Sequence, residues 1–332
     1  MAMAQLAKKL AGLLAGVAAL LICFGLSVAL GKSPVPLYAV WDAVAAFESG
    51  NRDHLIVQTV RIPRALIAMT VGACLAMAGA LMQAVTRNAL AGPELFGVNQ
   101  GASLLIVIHI YWFGGASLQG TIVPALIGAA TAGLLVYALC TFGGRGMTPL
   151  TLVLAGSAIN LLLGALTQGI LVWDEESLDT MRFWMAGSLT GRSVEMLWQL
   201  LPLMAVGAAV ALLIGRAMNL IGLGDEAAQS LGVRVAYVKA AALAAVVLLA
   251  GASVALAGPI SFIGLAVPHI ARFLVGSDYR WVIPYSAVLG AVLLTLADVA
   301  SRFVLPSEEI SAGVMTALLG APFLIYLSQR KV

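Results

Sequence analysis

The stretch IGLGDEAAQSLGVRV, residues 221–235, interrupts a chain in which 61% of residues are hydrophobic and 10% are charged. It sits between the apolar runs 196–215 and 240–271 and gathers Asp225, Glu226 and Arg234 among small residues. Asp225 is a good N-cap, Glu226 suits the positive start of a helix, and Gly232 can end one in a left-handed conformation. The resulting helix has only about seven residues, far below the ~12–15 that persist alone in water. A helix that short survives by docking. Its small face, Ala227, Ala228 and Leu231, is expected to fit a groove on a partner. The plain alternative is a connecting loop lying on the membrane surface. Under either reading the segment is a connection, and the runs flanking it are separate helices.

Across 332 residues the mean hydropathy is +1.02. A soluble domain carries about 25% charged residues, so this composition specifies an integral membrane protein, and the helix-length apolar windows below make it all-α. The net charge of +3 is too small to suggest nucleic acid. Cys23, Cys74 and Cys140 each lie inside an apolar run and read as small buried hydrophobes. Crossing a hydrocarbon core of ~30 Å takes about 20 apolar residues. Uncharged windows on that scale are 10–31, 65–86, 95–144, 146–173, 196–215, 240–271, 281–297 and 310–329. Window 95–144 is broken by FGG at 113–115 and by Pro124, so it holds two helices. Window 240–271 would run about 48 Å as one helix and is broken at 258–259, so it holds two as well. Ten spans result, in a single domain covering 1–332. The run 10–31 exceeds the ~7–15-residue core of a signal peptide and reads as an uncleaved first helix. Gly72, Ala76 and Ala80 recur four apart, which permits close helix packing.

Lys8 and Lys9 open the chain and Arg330 and Lys331 close it, so the positive-inside rule asks for an even number of spans. Ten spans place eleven of the 18 Lys and Arg in the cytoplasm, Arg87, Arg145, Arg234 and Lys239 among them. The other seven face out: Lys32, Arg52, Arg61, Arg64, Arg182, Arg192 and Arg302. Both termini and the segment 217–235 are then cytoplasmic, and 32–62 and 174–195 are outer segments.

Several chemistries are excluded. GLSVALGKS at 25–33 imitates a phosphate-binding loop, but Leu26 stands where the first glycine must be, and a membrane helix precedes it. HExxH, GxSxG and metal-spaced Cys/His pairs are absent, and His54, His109 and His269 are scattered. No catalytic residue, cofactor or resident metal is expected. Asp298 is the clear carboxylate within a span, near its outer end, with Arg302 one turn on. Ion-coupled carriers place ionisable groups near the midplane, so secondary transport is the remoter alternative.

Longer blocks carry a resemblance. They are RIPRALIAMTVGACLAMAGALMQAVTRNALAGPELFGVNQGASL (61–104), FWMAGSLTGRS (183–193), LGDEAAQSLGV (223–233), VALAGPISFIGLAVPHIAR (254–272), LADVASR (296–302) and GVMTALLGAPFLIYL (313–327). In this order they resemble the FecCD/BtuC-type permeases of ABC importers for iron-siderophores, haem and cobalamin. The family usually has proline where Ala89 stands and often an acidic residue where Gly92 stands.

The resemblance implies a type II ABC importer permease fold of ten transmembrane helices in the inner (cytoplasmic) membrane. The partners it implies are two copies of an ABC ATPase subunit, a periplasmic substrate-binding protein, and a second permease copy or paralogue. It assigns ATPase coupling to Gly224, Asp225, Glu226, Ala227, Ala228, Leu231 and Gly232. Arg61, Arg64 and Arg302 would receive carboxylates from the binding protein; the alternative is interfacial anchoring by snorkelling. The helix 149–173, with Ser157, Asn160 and Gln168, would line the translocation path. Asn88, Leu90, Asn99 and Gln100 would form an inner constriction, although such polar groups also serve as interhelical hydrogen-bond partners. The implied cargo is a ferric siderophore, with cobalamin or haem as the alternative. The near-miss at Gly31, Lys32 and Ser33 predicts that the isolated chain binds no nucleotide. Photolabelling with an azido-ATP analogue should give no saturable signal, and Lys32→Ala should change nothing.

Overall fold

The computed structural model describes residues 2–113, 119–142, 147–305 and 308–329, and every regular element among them is helical. Gly114, Gly115, Arg145, Arg330 and Lys331 lie outside the described residues. The chain opens with α1 (Ala2–Ala29), then two short helices, α2 (Leu37–Ala45) and α3 (Arg52–Ile56). A π-helical turn (Val57–Arg61) runs into α4 (Ile62–Thr86). A 3-10 turn (Pro93–Phe96) precedes α5 (Val98–Phe113), α6 (Ile122–Phe142), α7 (Pro149–Trp173) and α8 (Glu175–Met185). The remainder is α9 (Val194–Ile221), α10 (Asp225–Ser230), α11 (Val235–Ala257), α12 (Ile263–Val275), α13 (Tyr279–Ser301) and α14 (Ala312–Gln329).

Seven of these helices are long and apolar enough to cross a membrane, and α5, α12 and the described part of α14 are shorter apolar helices. Together they are the ten elements expected, with both long windows divided. Window 240–271 breaks at Gly258, whose φ of +75° ends α11 in a conformation that suits glycine. With 13 residues, α12 runs only about 20 Å. The non-helical lead-in 258–262 supplies the rest of its path at up to ~3.3 Å per residue.

Small residues set the packing. Nearly all of α4 is buried, because its neighbours approach to backbone contact. A Cβ on Gly72 would lie 2.3 Å from the Gly290 carbonyl oxygen of α13, and one on Gly290 would lie 2.3 Å from that of Gly72. Gly79 meets Gly264 of α12 in the same way, and Gly101 of α5 meets Gly128 of α6. With no water to expel between helices in lipid, close van der Waals fit is what holds them together. Large apolar side chains such as Leu21, Leu134, Leu161, Leu213 and Phe273 point outward instead.

The 28 residues of α9 span about 42 Å and define two ends of the molecule. α10 marks one end, where α9 finishes and α11 begins. The α8–α9 linker marks the other. Ser188 N donates to Ala257 O at 2.8 Å and Gly313 N donates to Gly187 O at 2.9 Å. Ser311 Oγ donates to Ala186 O at 2.9 Å. That linker is thereby fastened to the end of α11 and the start of α14. Helix packing at Gly290 yields a test. Alanine stabilises an ordinary helical glycine site by up to ~1 kcal/mol, which is expected for Gly25→Ala, where nothing lies within 4 Å. Gly290→Ala should instead lower stability by about 1–3 kcal/mol through overpacking, measured as thermal unfolding in detergent.

Candidate functional site

At the α10 end one carboxylate organises three elements. Asp225 is bound by Arg87 (a close contact) and by Lys239 Nζ at 2.6 Å. Lys239 is only 2% exposed and also donates to Met147 O at 2.8 Å. Arg87 follows α4 with φ +49°, and its Nε donates to Ile221 O at 3.1 Å. The expected N-cap role for Asp225 is corrected. Gly224, at φ +118°, is the N-cap, and Asp225 is the first helical residue with its side chain spent on two cations. Gly232 ends the helix as expected, at φ +83°, with Val233 N donating to Ala228 O at 3.0 Å.

The expected partner face is also corrected. Ala228 is 0% exposed because it packs into this chain's own core, and Ala227 is half-buried. The surface on offer is Glu226, Gln229, Ser230 and Leu231, joined by Leu223 and Tyr237. Leu231 is 59% exposed and Leu223 67%. Beside α10 a cavity of about 590 Å³ is lined by Gln83, Arg87, Asn88, Arg272 and Asp278. Arg280 and Asn219 hold the Asp278 carboxyl down at about 2, chiefly through the hydrogen bond from Arg280.

The opposite end holds the three arginines, and they are buried rather than open. Arg61 Nη1 donates to Val28 O at 2.8 Å and Ala29 O at 2.7 Å, and its Nη2 donates to Ser33 O at 2.6 Å. It caps the C-terminus of α1, where the last carbonyls lack partners and a cation meets the negative helix end. Arg302 Nη1 donates to Ser27 O at 2.7 Å and Leu30 O at 2.6 Å. Its Nη2 reaches Asp298 Oδ2 at 2.5 Å. Arg64 Nε donates to Asp298 Oδ1 at 2.9 Å, and its Nη1 meets Glu309 Oε2 at 2.7 Å. The Asp298–Arg302 pairing was legible in the sequence; the second partner, Arg64, was not. Two guanidiniums, Arg64 and Arg302, thus share two carboxylates, and the accessible member is Glu309, whose side chain is 29% exposed.

The residues expected along a path divide into three places. Asn160 Nδ2 donates to Glu94 O at 3.0 Å, joining α7 to the 3-10 turn. Asn99 and Gln100 lie half-buried in the first turn of α5, and Gln100 comes near Gly164 of α7. Ser157 and Gln168 sit on an exposed stripe of α7 with Leu154, Leu161 and Leu162. Asn88 and Leu90 are apart from these, exposed at the α10 end, with Leu90 N donating to Asn88 Oδ1 at 2.9 Å. No cluster of metal-ligating side chains occurs among the described residues, and the three cysteines are free and buried.

Comparison with known proteins follows the same architecture. The FecCD transport family model matches residues 19–330. The "Probable siderophore transport system permease protein YfiZ" of Bacillus subtilis (strain 168) is 43% identical over 304 residues, 92% of this chain and 91% of that one. The ferric enterobactin transport system permease protein FepD of Escherichia coli (strain K12) is 41% identical over 312 residues, 94% of this chain and 93% of that one. A solved structure described as "An inward-facing conformation of a putative metal-chelate type ABC transporter" superposes with a TM-score of 0.84 at 28% identity, covering 95% of this chain and 98% of that one.

The Asp298 cluster yields a stability prediction. Asp298→Asn leaves Arg64 and Arg302 buried without their shared countercharge, and breaking a buried pair in this way costs about 3–5 kcal/mol. Thermal unfolding in detergent should show that loss. Glu309→Gln, at the accessible rim, should cost less than about 1 kcal/mol.

Proposed function

The chain belongs to the FecCD transport family, and from that premise we propose that this permease subunit imports a ferric siderophore through the inner membrane. Its energy would come from two copies of a separate ATPase subunit, its cargo from a periplasmic binding protein, and its pore from pairing with a second permease copy or paralogue. Relatives named for siderophore and ferric enterobactin transport, similar along more than nine-tenths of the chain, are the observation that carries the cargo reading. The α10 end is the cytoplasmic one in this proposal, in keeping with Arg87, Arg234 and Lys239 there and with the positive-inside rule. Both chain termini then lie in the cytoplasm as well.

Coupling is assigned to α10. Asp225 ties it to Arg87 and Lys239, so a push on this short helix reaches α4 and α11 directly. Leu223 and Leu231 are exposed on the side that faces water, and apolar groups in that setting favour burial by a partner. Gly224 and Gly232 set the entry and exit of the helix. Asn99, Gln100 and Asn160 are proposed to form the constriction where α5, α7 and the 3-10 turn meet. Ser157 and Gln168 would face the path, and Asn88 and Leu90 its cytoplasmic mouth.

Docking of the binding protein is proposed at the arginine cluster, in a form adjusted to its burial. Arg61 and Arg302 are committed to α1, so the exchangeable contact is Arg64, where an incoming carboxylate would take the place of Glu309. Two substitutions separate these assignments. Leu231→Glu removes burial of about 1.5–3 kcal/mol and should cut ATPase copurification about tenfold or more while the chain still folds. Glu309→Ala, which vacates the exchangeable contact at the accessible rim, should leave ATPase binding intact and strengthen capture of the binding protein. The cargo is tested by radiolabelled iron uptake from a siderophore panel, with haem and cobalamin, in cells lacking this chain. Loss of haem or cobalamin uptake alone would sink the siderophore assignment.

A further inference from the structure

A second cavity, of about 650 Å³, lies at the end opposite α10, between α5, α8, the α8–α9 linker and the segment leading into α14. Two polar side chains in its wall have hydrogen atoms and nowhere to put them. Arg192 is 5% exposed, yet its Nη1 has no hydrogen-bond partner. Its Nε reaches Ser188 O only at 3.5 Å, and among the described residues no carboxylate pairs with it. Trp184 is 6% exposed, and its Nε1 also has no partner. Buried polar groups in native proteins are nearly always satisfied, so a buried guanidinium in a cavity wall with no countercharge calls for an explanation.

The surroundings are built to hold this arrangement. Gly187 and Gly191 take left-handed conformations on either side of Ser188, and the backbone bonds to Ala257 and Gly313 fix the linker. Glu309 also lines the cavity, but Arg64 engages it at 2.7 Å, so the cavity's negative group is already neutralised. Burial without a countercharge pushes the Arg192 guanidinium down to about 10, which still leaves it charged at neutral pH. An unpaired buried cation lowers stability. A side chain kept at such a cost points to a ligand.

We propose that this cavity binds an anionic, oxygen-rich iron chelate, with the Arg192 guanidinium as the buried countercharge for its carboxylate or catecholate oxygens. The inference rests on the chelate-importer reading above and gives that reading a place for its substrate. The guanidinium offers two parallel N–H groups suited to bidentate oxygen ligands. The volume falls within the ~300–1,000 Å³ of small-molecule sites. Ser188, Thr190, Thr180 and Ser311 supply further hydroxyls around the wall. Arg192 stands two residues before α9, and the far end of that helix leads into α10, so occupancy at one end abuts the element that joins the two.

The test uses the complete importer, with its ATPase and binding protein, in proteoliposomes. The probes are ferric dicitrate and a ferric tris-catecholate, both anionic, and a neutral ferric trihydroxamate. Arg192→Gln should raise KM at least tenfold for the anionic chelates it carries and leave the neutral one unchanged. Arg192→Lys should recover part of the loss. Thermal stability of Arg192→Gln should equal or exceed that of the wild type, because a buried unpaired charge is gone. Unchanged KM for anionic chelates, an equal loss for the neutral one, or a lowered melting temperature would overturn the proposal. If the wild-type importer carries none of the three, the cargo reading fails and this inference fails with it; if it carries them but Arg192→Gln does not discriminate, only this inference fails.

Discussion

The carboxylate of Asp298 is the constraint on which one whole end of the molecule depends. It is fully buried in an apolar protein and cannot stand alone there, so it draws in Arg64 from α4 and Arg302 from the end of α13. Arg302 in turn spends its Nη1 on carbonyls at the end of α1, and Arg61 does the same from the start of α4. The ends of three helices are thereby fixed by charge-assisted hydrogen bonds rather than by apolar contact. In lipid the hydrophobic effect gives no net drive for this, because lipid tails are as apolar as leucine, which leaves hydrogen bonds and close packing.

The α10 end repeats the device with different residues. Asp225 stands between Arg87, after α4, and Lys239, in α11. α4 is therefore held by a carboxylate at each end, and between them its glycines and alanines let α12 and α13 approach to backbone contact. A helix clamped at both ends and tightly packed along its length moves as a rigid rod. That is a suitable part for carrying a displacement of α10 toward the opposite end, as the proposed coupling requires.

Two expectations changed for the same physical reason. The small face of α10 was expected to meet a partner, and Ala228 instead packs inward. Small side chains allow close approach to any surface, and the nearest one belonged to the chain itself. The outer arginines were expected to receive carboxylates from a partner, and their nearest acceptors are instead the carbonyls at the end of α1 and the buried Asp298. In both cases the neighbour was not visible from position in the chain.

The ten apolar helices among the described residues, the division of window 95–144 into α5 and α6, the break at 258–259, the short helix closed by Gly232 and the pairing of Asp298 with Arg302 were all legible in the sequence. Each rests on local physics: helix length against membrane thickness, glycine's freedom at positive φ, and the reach of one helical turn. The union of Arg87, Asp225 and Lys239, the approach of Arg64 to Asp298, and the meeting of Trp184 with Arg192 in one cavity were not legible. Each brings together residues from different helices, and Arg64 and Asp298 are 234 positions apart. Burial of Arg192 and Trp184 with unspent hydrogen atoms is likewise a property of what surrounds them. No sequence periodicity encodes it, because in one dimension a buried, unpaired guanidinium and a solvated one are the same letter.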